Sequence, residues 1–336
     1  MKPETIPSQQ IKVLFLGPLG TYSHQAVRKF VQNEPADLVA CRSIQEAVTK
    51  GAEDARLGRP VVVMVPVENS TLGIVQEALQ CLSDPNLFFA NGLSIVDEVD
   101  LTVAHALIIR ALDSSVSNPL SRIEQVRSHE QALGQCSEFL NQHVPQAQRF
   151  FSNSTAEAVS YLRQAPAGRV AAVASELCAE MFGMQVIARN IQKSNANFTR
   201  FLVVTNREHD RTVAHTLATY RISRECPGNT THAAYRVRIP IAQRELWVSA
   251  IQQTNFPPWM LHGSVYAHVP HVDDETRSYC WLVFELQQCA GPHGDDMKRY
   301  PRLSDAPTAL LHSALSLPDE VALECLGVWT KPTVTM

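Results

Sequence analysis

VVVMVPVENSTLGIVQEALQCL, residues 61–82, carries an unbroken apolar run into a small polar junction and then into a helical pattern. The run 61–67 is short and rich in β-branched residues, which predicts a buried strand. Beyond Glu68, the residues Ile74, Val75, Ala78, Leu79 and Leu82 form a stripe at helical spacing, so the strand is expected to feed a helix directly. Asn69 or Ser70 would then cap that helix. The same unit recurs between residues 11 and 206. IKVLFL (11–16) precedes GPLGTYSHQAVRKF, with Tyr22, Ala26 and Phe30 on one face. LTVAHALII (101–109) reads as one strand. IEQVRS (123–128) precedes SHEQALGQCSEFL, whose buried edge is Leu133, Cys136 and Leu140. RVAAVAS (169–175) precedes SELCAEMFG, capped at both ends, and STAE (154–157) is a capping box. This alternation predicts an α/β fold built on parallel sheet. Its strand-to-helix junctions offer free N–H groups and positive helix ends at a sheet edge, a setting suited to a small anion.

The composition fits a small-molecule ligand. The chain has 336 residues, enough for two or three domains, and a net charge of −4 from 29 basic and 33 acidic residues. No run of either sign supplies a footprint for nucleic acid, and the apolar stretches are strand-sized rather than membrane-spanning. A soluble, cytoplasmic protein is expected. The eight cysteines are dispersed without a CxxC or a Cys/His cluster, so reduced thiols and no metal are expected.

Residues 207–231 are polar and poorly periodic and read as a linker. Beyond them AYRVRI (234–239), RELWVSAIQQ (244–253), SVYAHV (264–269), SYCWLVFEL (278–286), APTALLHSAL (306–315) and VALECLGVW (321–329) suggest the order β, α, β, β, α, β. This is a small α+β sandwich of ferredoxin-like type over residues 232–330.

Six segments, FLGPLGTYSHQA (15–26), VPVENSTLG (65–73), SHEQALGQC (128–136), STAEAV (154–159), ASELCAEMFG (174–183) and NFTRFLVV (197–204), together resemble prephenate dehydratase in order and spacing. The resemblance implies a two-lobed catalytic domain over 11–206, like a type 2 periplasmic-binding-protein fold, with its second lobe roughly at 100–185. It also implies a cofactor-free lyase that converts prephenate to phenylpyruvate with loss of water and carbon dioxide, acting as a homodimer or homotetramer. By the same analogy Thr199 donates to the leaving hydroxyl, Asn69 is a substrate donor, Glu68 orients its neighbours, and Ser128 and Gln135 lie at the substrate. Thr21, Ser23, Ser70, Gln131 and Phe198 join the candidate cleft. Arg200 either anchors the pyruvyl carboxylate or pairs with Glu68. The C-terminal region resembles the ACT regulatory domain, but Ala267, His268, Val269 and Pro270 stand where that domain has Glu-Ser-Arg-Pro. A polar stretch around Gln243, Arg244 and Glu245 replaces its Gly-Ala-Leu. A degenerate ACT-like domain that no longer senses phenylalanine is expected.

The chemistry of prephenate is compatible with these residue types. Its ring carboxylate must leave as carbon dioxide while the ring hydroxyl departs, and aromatisation drives both. A strong cation on that carboxylate would stabilise the ground state and oppose its loss, so neutral donors suit the site. A threonine hydroxyl, a poor acid in water, works there only as a positioned donor in a dry pocket. Read alone, Thr199 and Arg200 simply close a strand, and Asn69, Ser70 and Ser128 are ordinary caps. His24 and His129 lack an acid or cysteine partner and read as packing or supporting residues. Arogenate dehydratase, and a non-catalytic two-lobed binding protein, are the alternatives.

Overall fold

The computed structural model describes residues 10–32, 34–84, 86–88, 91–111, 118–194, 196–206, 230–253, 255–256, 259–268, 279–288 and 323–331. In chain order the first elements are β1 (Ile11–Leu16), α1 (Tyr22–Val31), β2 (Ala36–Cys41), α2 (Ile44–Arg56), β3 (Val61–Asn69), β4 (Gly73–Ile74), α3 (Gln76–Ser83) and β5 (Leu93–Thr102). The middle of the chain holds β6 (Ala106–Ile109), β7 (Gln125–Ser128), α4 (Glu130–Gln135), α5 (Ser137–His143), β8 (Gln148–Phe151), α6 (Thr155–Tyr161), β9 (Val170–Ala174), α7 (Glu176–Phe182) and β10 (Gln185–Ala188). Strand β11 (Phe198–Asn206) follows, then β12 (Thr230–Pro240), α8 (Arg244–Gln253), β13 (Asn255–Phe256), β14 (Trp259–His268), β15 (Tyr279–Gln288) and β16 (Leu323–Lys331).

Two lobes result, each an α/β layer around its own sheet, and the second sheet has the order β10-β6-β9-β7-β8. Both faces of each sheet are covered, which is why the strands read as continuous apolar runs rather than alternating ones. In β3, Val63 and Val65 pack on one side while Val62 and Met64 pack on the other, all essentially inaccessible. In β6, Leu107 and Ile109 face one cluster and Ala106 and Ile108 the opposite one.

The sheets are mixed rather than parallel. Strand β11 inserts antiparallel between β3 and β5, and β6 runs antiparallel to both β9 and β10. The segment 101–109 is not one strand either. Strand β5 ends at Thr102, residues 103–105 cross between the lobes, and β6 begins at Ala106. The return crossing runs from β10 to β11. The two crossings are tied by Val103 N to Asn197 O at 2.8 Å and Ile191 N to His105 O at 3.0 Å. They form the hinge of the two-lobed molecule.

The C-terminal strands lie in the order β14-β15-β12-β16, antiparallel throughout, with α8 packed against them through Trp247 and Ile251. The expected second helix at 306–315 lies outside the described residues. So do most of the expected linker, and Val269 and Pro270. The small C-terminal sheet continues the sheet of the first lobe: β16 meets β5 in parallel at Gly327 and Ile95, and Ser94 Oγ donates to Leu326 O at 3.3 Å.

Candidate active site

Between the lobes lies a cleft of about 640 Å³. Helix α1 supplies one wall, and its start is set by Thr21, whose hydroxyl accepts from His24 N at 3.4 Å and donates to Pro18 O at 2.9 Å. Gly20 precedes it at φ +92°, a conformation that suits glycine, and a Cβ there would lie 2.9 Å from Cys178 Sγ across in the second lobe. Thr21, Tyr22 and Ser23 line the cleft on this side; His129, Gln131, Gln135 and the stretch from Asn153 to Thr155 line it on the other.

The floor comes from β3 and β11. Thr199 pairs with Asn69 and Arg200 with Glu68, but the register then slips so that Phe201 faces Pro66 and Val67 is left over. Pro66 has no N–H to give the ladder, and this bulge sits one residue from the site. Because side chains alternate along a strand, the pair Asn69 and Thr199 faces the cleft while Glu68 and Arg200 face away from it. Asn69 does not cap a helix, contrary to the expectation. Strand β3 continues through it, a turn and β4 intervene, and α3 begins only at Gln76. Asn69 Oδ1 instead accepts from Thr71 N at 3.0 Å and Leu72 N at 3.1 Å, closing the turn. Helix capping lost because its competing side-chain-to-backbone bonds were satisfied two and three residues on.

The candidate residues therefore divide. Thr21, Ser23, Asn69, Gln131, Gln135 and Thr199 line one cleft. Ser70 lies outside it and pins the return crossing, accepting from Phe198 N at 2.9 Å and donating to Ala196 O at 3.2 Å. Ser128 is fully buried and donates to Val173 O at 2.6 Å; the cap of α4 is His129, which accepts from Gln131 N through Nδ1. Phe198 is turned to solvent, and Phe201 is core. The Arg200 side chain neither forms an ion pair with Glu68, its register partner, nor reaches the cleft. Its guanidinium reaches Glu98 at 2.7 Å and Glu285 at 2.5 Å, and Glu285 in turn meets His232 Nδ1 at 2.6 Å. Burial opposes a charge on Arg200, but Glu285 and Glu98 outweigh it and hold the guanidinium firmly protonated. Glu98, His232 and Glu285 stand close enough to hold a metal ion, yet Arg200 already supplies their cation.

Asn197 and His105 were not among the candidate residues, and Tyr22 was expected only on the packed face of α1. They complete a polar row across the cleft floor. Asn69 Nδ2 lies 2.9 Å from Thr199 Oγ1 and 3.0 Å from Asn197 Oδ1; Asn197 Nδ2 donates to Gln135 Oε1 at 3.1 Å. His105 Nε2 lies 2.8 Å from the same Gln135 oxygen, and its Nδ1 lies 2.7 Å from the Tyr22 hydroxyl. Burial pushes the His105 pKa down, partly offset by the Gln135 bond, and pushes that of Tyr22 well up, so both are held neutral. The signal for Asn197 was in plain view, inside NFTRF. That for His105 was hidden because its segment read as strand interior. Among the described residues lining the cleft, Arg42 is the one Lys or Arg, and it stands at the mouth beside Glu46. The other polar side chains of the wall are hydroxyls, amides and imidazoles, apart from Glu157, whose carboxylate is engaged by Asn153 N at 2.7 Å; Leu16, Pro18, Leu72, Val103 and Ala132 make it partly apolar.

Two α/β lobes joined by a double crossing, with a polar cleft between them, make a domain with a fold like that of the type 2 periplasmic binding proteins. Comparison with known proteins narrows this. Residues 13–209 match the family model described as prephenate dehydratase. The bifunctional chorismate mutase/prephenate dehydratase of Aquifex aeolicus is 32% identical over 200 residues, 60% of this chain and 50% of that protein. The prephenate dehydratase of Lactococcus lactis is 28% identical over 282 residues, 84% of this chain and 93% of that one. Among solved structures, prephenate dehydratase from Arthrobacter aurescens in complex with L-Phe superposes with a TM-score of 0.67 at 22% identity, covering 95% of this chain and 89% of that one. The chain spans about half the length of the bifunctional relatives that it matches. It belongs to the prephenate dehydratase family.

Proposed function

We propose that the protein catalyses the decarboxylating dehydration of prephenate to phenylpyruvate in the cleft between its lobes, with Thr199 donating a hydrogen bond to the departing ring hydroxyl. The observation that carries this reading is the direction of the bond between Asn69 and Thr199. Asn69 Nδ2 donates to Thr199 Oγ1, so the threonine's own hydrogen remains available, and among the described residues no side chain or carbonyl accepts it. A hydroxyl so arranged is a donor aimed at whatever occupies the cleft. Gln135, Gln131 and Ser23 add neutral groups that can hold a dianion without clamping the carboxylate that must leave. Arg42 at the mouth is placed to attract the substrate rather than to fix its reacting end.

No helix among the described residues is long and apolar enough to cross a membrane. The match to the prephenate dehydratase family supports a role in phenylalanine formation, and we read the protein further as a cytoplasmic homo-oligomer. Incubation of the purified protein with prephenate and, separately, with arogenate tests the assignment. Phenylpyruvate and carbon dioxide in equal amounts from prephenate are expected. Turnover of arogenate alone would move the assignment to the aminated substrate, and tight binding of prephenate without product would make the protein a binder.

A further inference from the structure

The polar row across the cleft floor has a direction, and the direction can be read from the backbone. Asn69 admits one amide orientation: its Oδ1 is held by Thr71 N and Leu72 N, and its Nδ2 donates to the Phe198 carbonyl at 3.1 Å. Its Nδ2 therefore meets an acceptor in Asn197, which fixes Oδ1 of Asn197 toward Asn69 and Nδ2 toward Gln135. Gln135 must then present Oε1 to Asn197. The same oxygen faces His105 Nε2 at 2.8 Å, so that nitrogen must carry hydrogen. In the neutral ring Nδ1 is then the bare nitrogen and accepts from Tyr22, whose single hydroxyl proton is shared between Nδ1 and Ala104 O at 2.8 Å. Each bond in the row follows from the one before it.

The consequence falls on Gln135. With Oε1 accepting from both Asn197 and His105, the two hydrogens of its Nε2 have no acceptor among the described residues and are left for the cleft. Rotated by half a turn, the same amide would show its carbonyl oxygen to the ligand. For an anionic ligand that reversal changes attraction into repulsion.

We propose that His105, supported by Tyr22, is a positioning residue that fixes the Gln135 amide with its NH2 group toward the substrate. His105 acts through Gln135 and not by proton transfer to the ligand. The ring is 3% exposed and anchored twice through its own backbone, by its N–H to Gln192 Oε1 at 2.8 Å and by its carbonyl from Ile191 N, so it is a rigid support at the hinge. The benefit of the orientation rests on the prephenate reading, whereas the protonated Nε2 does not.

The test has two arms. A long-range proton–nitrogen spectrum of the 15N-labelled full chain reports which ring nitrogens carry hydrogen, with the His105 signals assigned by their loss in His105→Gln. Hydrogen on Nε2 is expected, and a bare Nε2 would overturn the proposal whatever reaction the protein performs. In kinetics with prephenate, His105→Leu leaves Tyr22 bonded to Ala104 and Gln135 bonded to Asn197, so it removes one donor from the row. KM is expected to rise about tenfold, the worth of one lost hydrogen bond to an anion, with a smaller change in kcat. His105→Gln, which restores an amide donor at similar reach, should recover most of that loss. Equal KM values for wild type and His105→Leu, with both folded, would also overturn it. A protein that fails to turn over prephenate at all would void the function proposed above but leave the ring spectrum to decide this one.

Discussion

Asn69 reaches three acceptors with two hydrogens, the Phe198 carbonyl, Asn197 and Thr199, while its oxygen closes a turn. That one side chain therefore joins backbone geometry to the orientation of the Thr199 hydroxyl. Asn69→Asp keeps the turn acceptor but removes both hydrogens, and Thr199 would then donate to the new carboxylate instead of to the ligand. We expect kcat to fall by about 10² or more with the melting temperature little changed, as for loss of a positioned donor; wild-type turnover would show that Asn69 does not orient Thr199. That Asn69, Gln135 and Thr199 line one cleft was legible in the sequence because the family motifs single them out. Ser128, from the same motifs, is instead buried and bonded to Val173 O. A motif marks a neighbourhood, and the alternation of a strand then decides which member faces the cleft, so Glu68 and Arg200 turn away while their neighbours turn in.

Among the elements, α1 and the crossing 103–105 each bury an imidazole. His24 accepts from Gly20 N through Nδ1 at 3.1 Å and stacks on Phe15, and burial, then Arg28, pushes its pKa below the ordinary 6.5; burial does the same to His105. As the pH falls, the unfolded chain takes up these protons first. Stability is thus whole above about pH 6.5 and is lost as the pH drops from there toward the folded-state values. His24→Asn keeps a short acceptor without titrating, so its melting temperature should fall less than that of wild type between about pH 7.5 and about pH 5.5. Parallel curves would remove His24 as a source. The caps of α6 and α7 were legible: Ser154 accepts from Glu157 N as its spacing implies, although Glu157 returns to Asn153 rather than to the cap residue, and α7 lies between its caps Ser175 and Gly183; α2 and its cap Ser43 were not anticipated. The division of 101–109 was not legible, because an apolar crossing that is buried at a hinge has the composition of a strand. Nor was the antiparallel insertion of β11, since pairing between distant segments leaves no local periodicity.

At the level of the whole molecule, the C-terminal sheet is joined to the strand that carries Thr199 by an ion pair, while its backbone pairing is to β5. Arg200, next in sequence, is clasped by Glu98 of the first lobe and Glu285 of β15, and the Glu98 carboxylate is almost wholly buried. Arg200→Met would leave those carboxylates without their cation, and urea unfolding should show a loss of about 3–5 kcal/mol. A loss below about 1 kcal/mol would mean that the pairs are screened as at a surface. The β-α-β-β order of this region was readable from its apolar runs, but its edge-to-edge continuation of the first lobe's sheet was not. Ala267 pairs with Leu282 inside that sheet and brings no charge where the ACT domain has glutamate. On the expectation that this region no longer binds an amino acid there is no shift between states, so phenylalanine should change neither rate nor sedimentation; saturable inhibition would show an effector site built from other residues. The reaction itself is tested most directly by a single-turnover experiment, with enzyme in excess over prephenate, on wild type and Thr199→Ala side by side. Phenylpyruvate and carbon dioxide should appear together in both, roughly 10² to 10⁴ times more slowly in Thr199→Ala and with prephenate affinity nearly unchanged. Equal rates in the two proteins, or carbon dioxide without an aromatic product in the wild type, would contradict a dehydration assisted by Thr199.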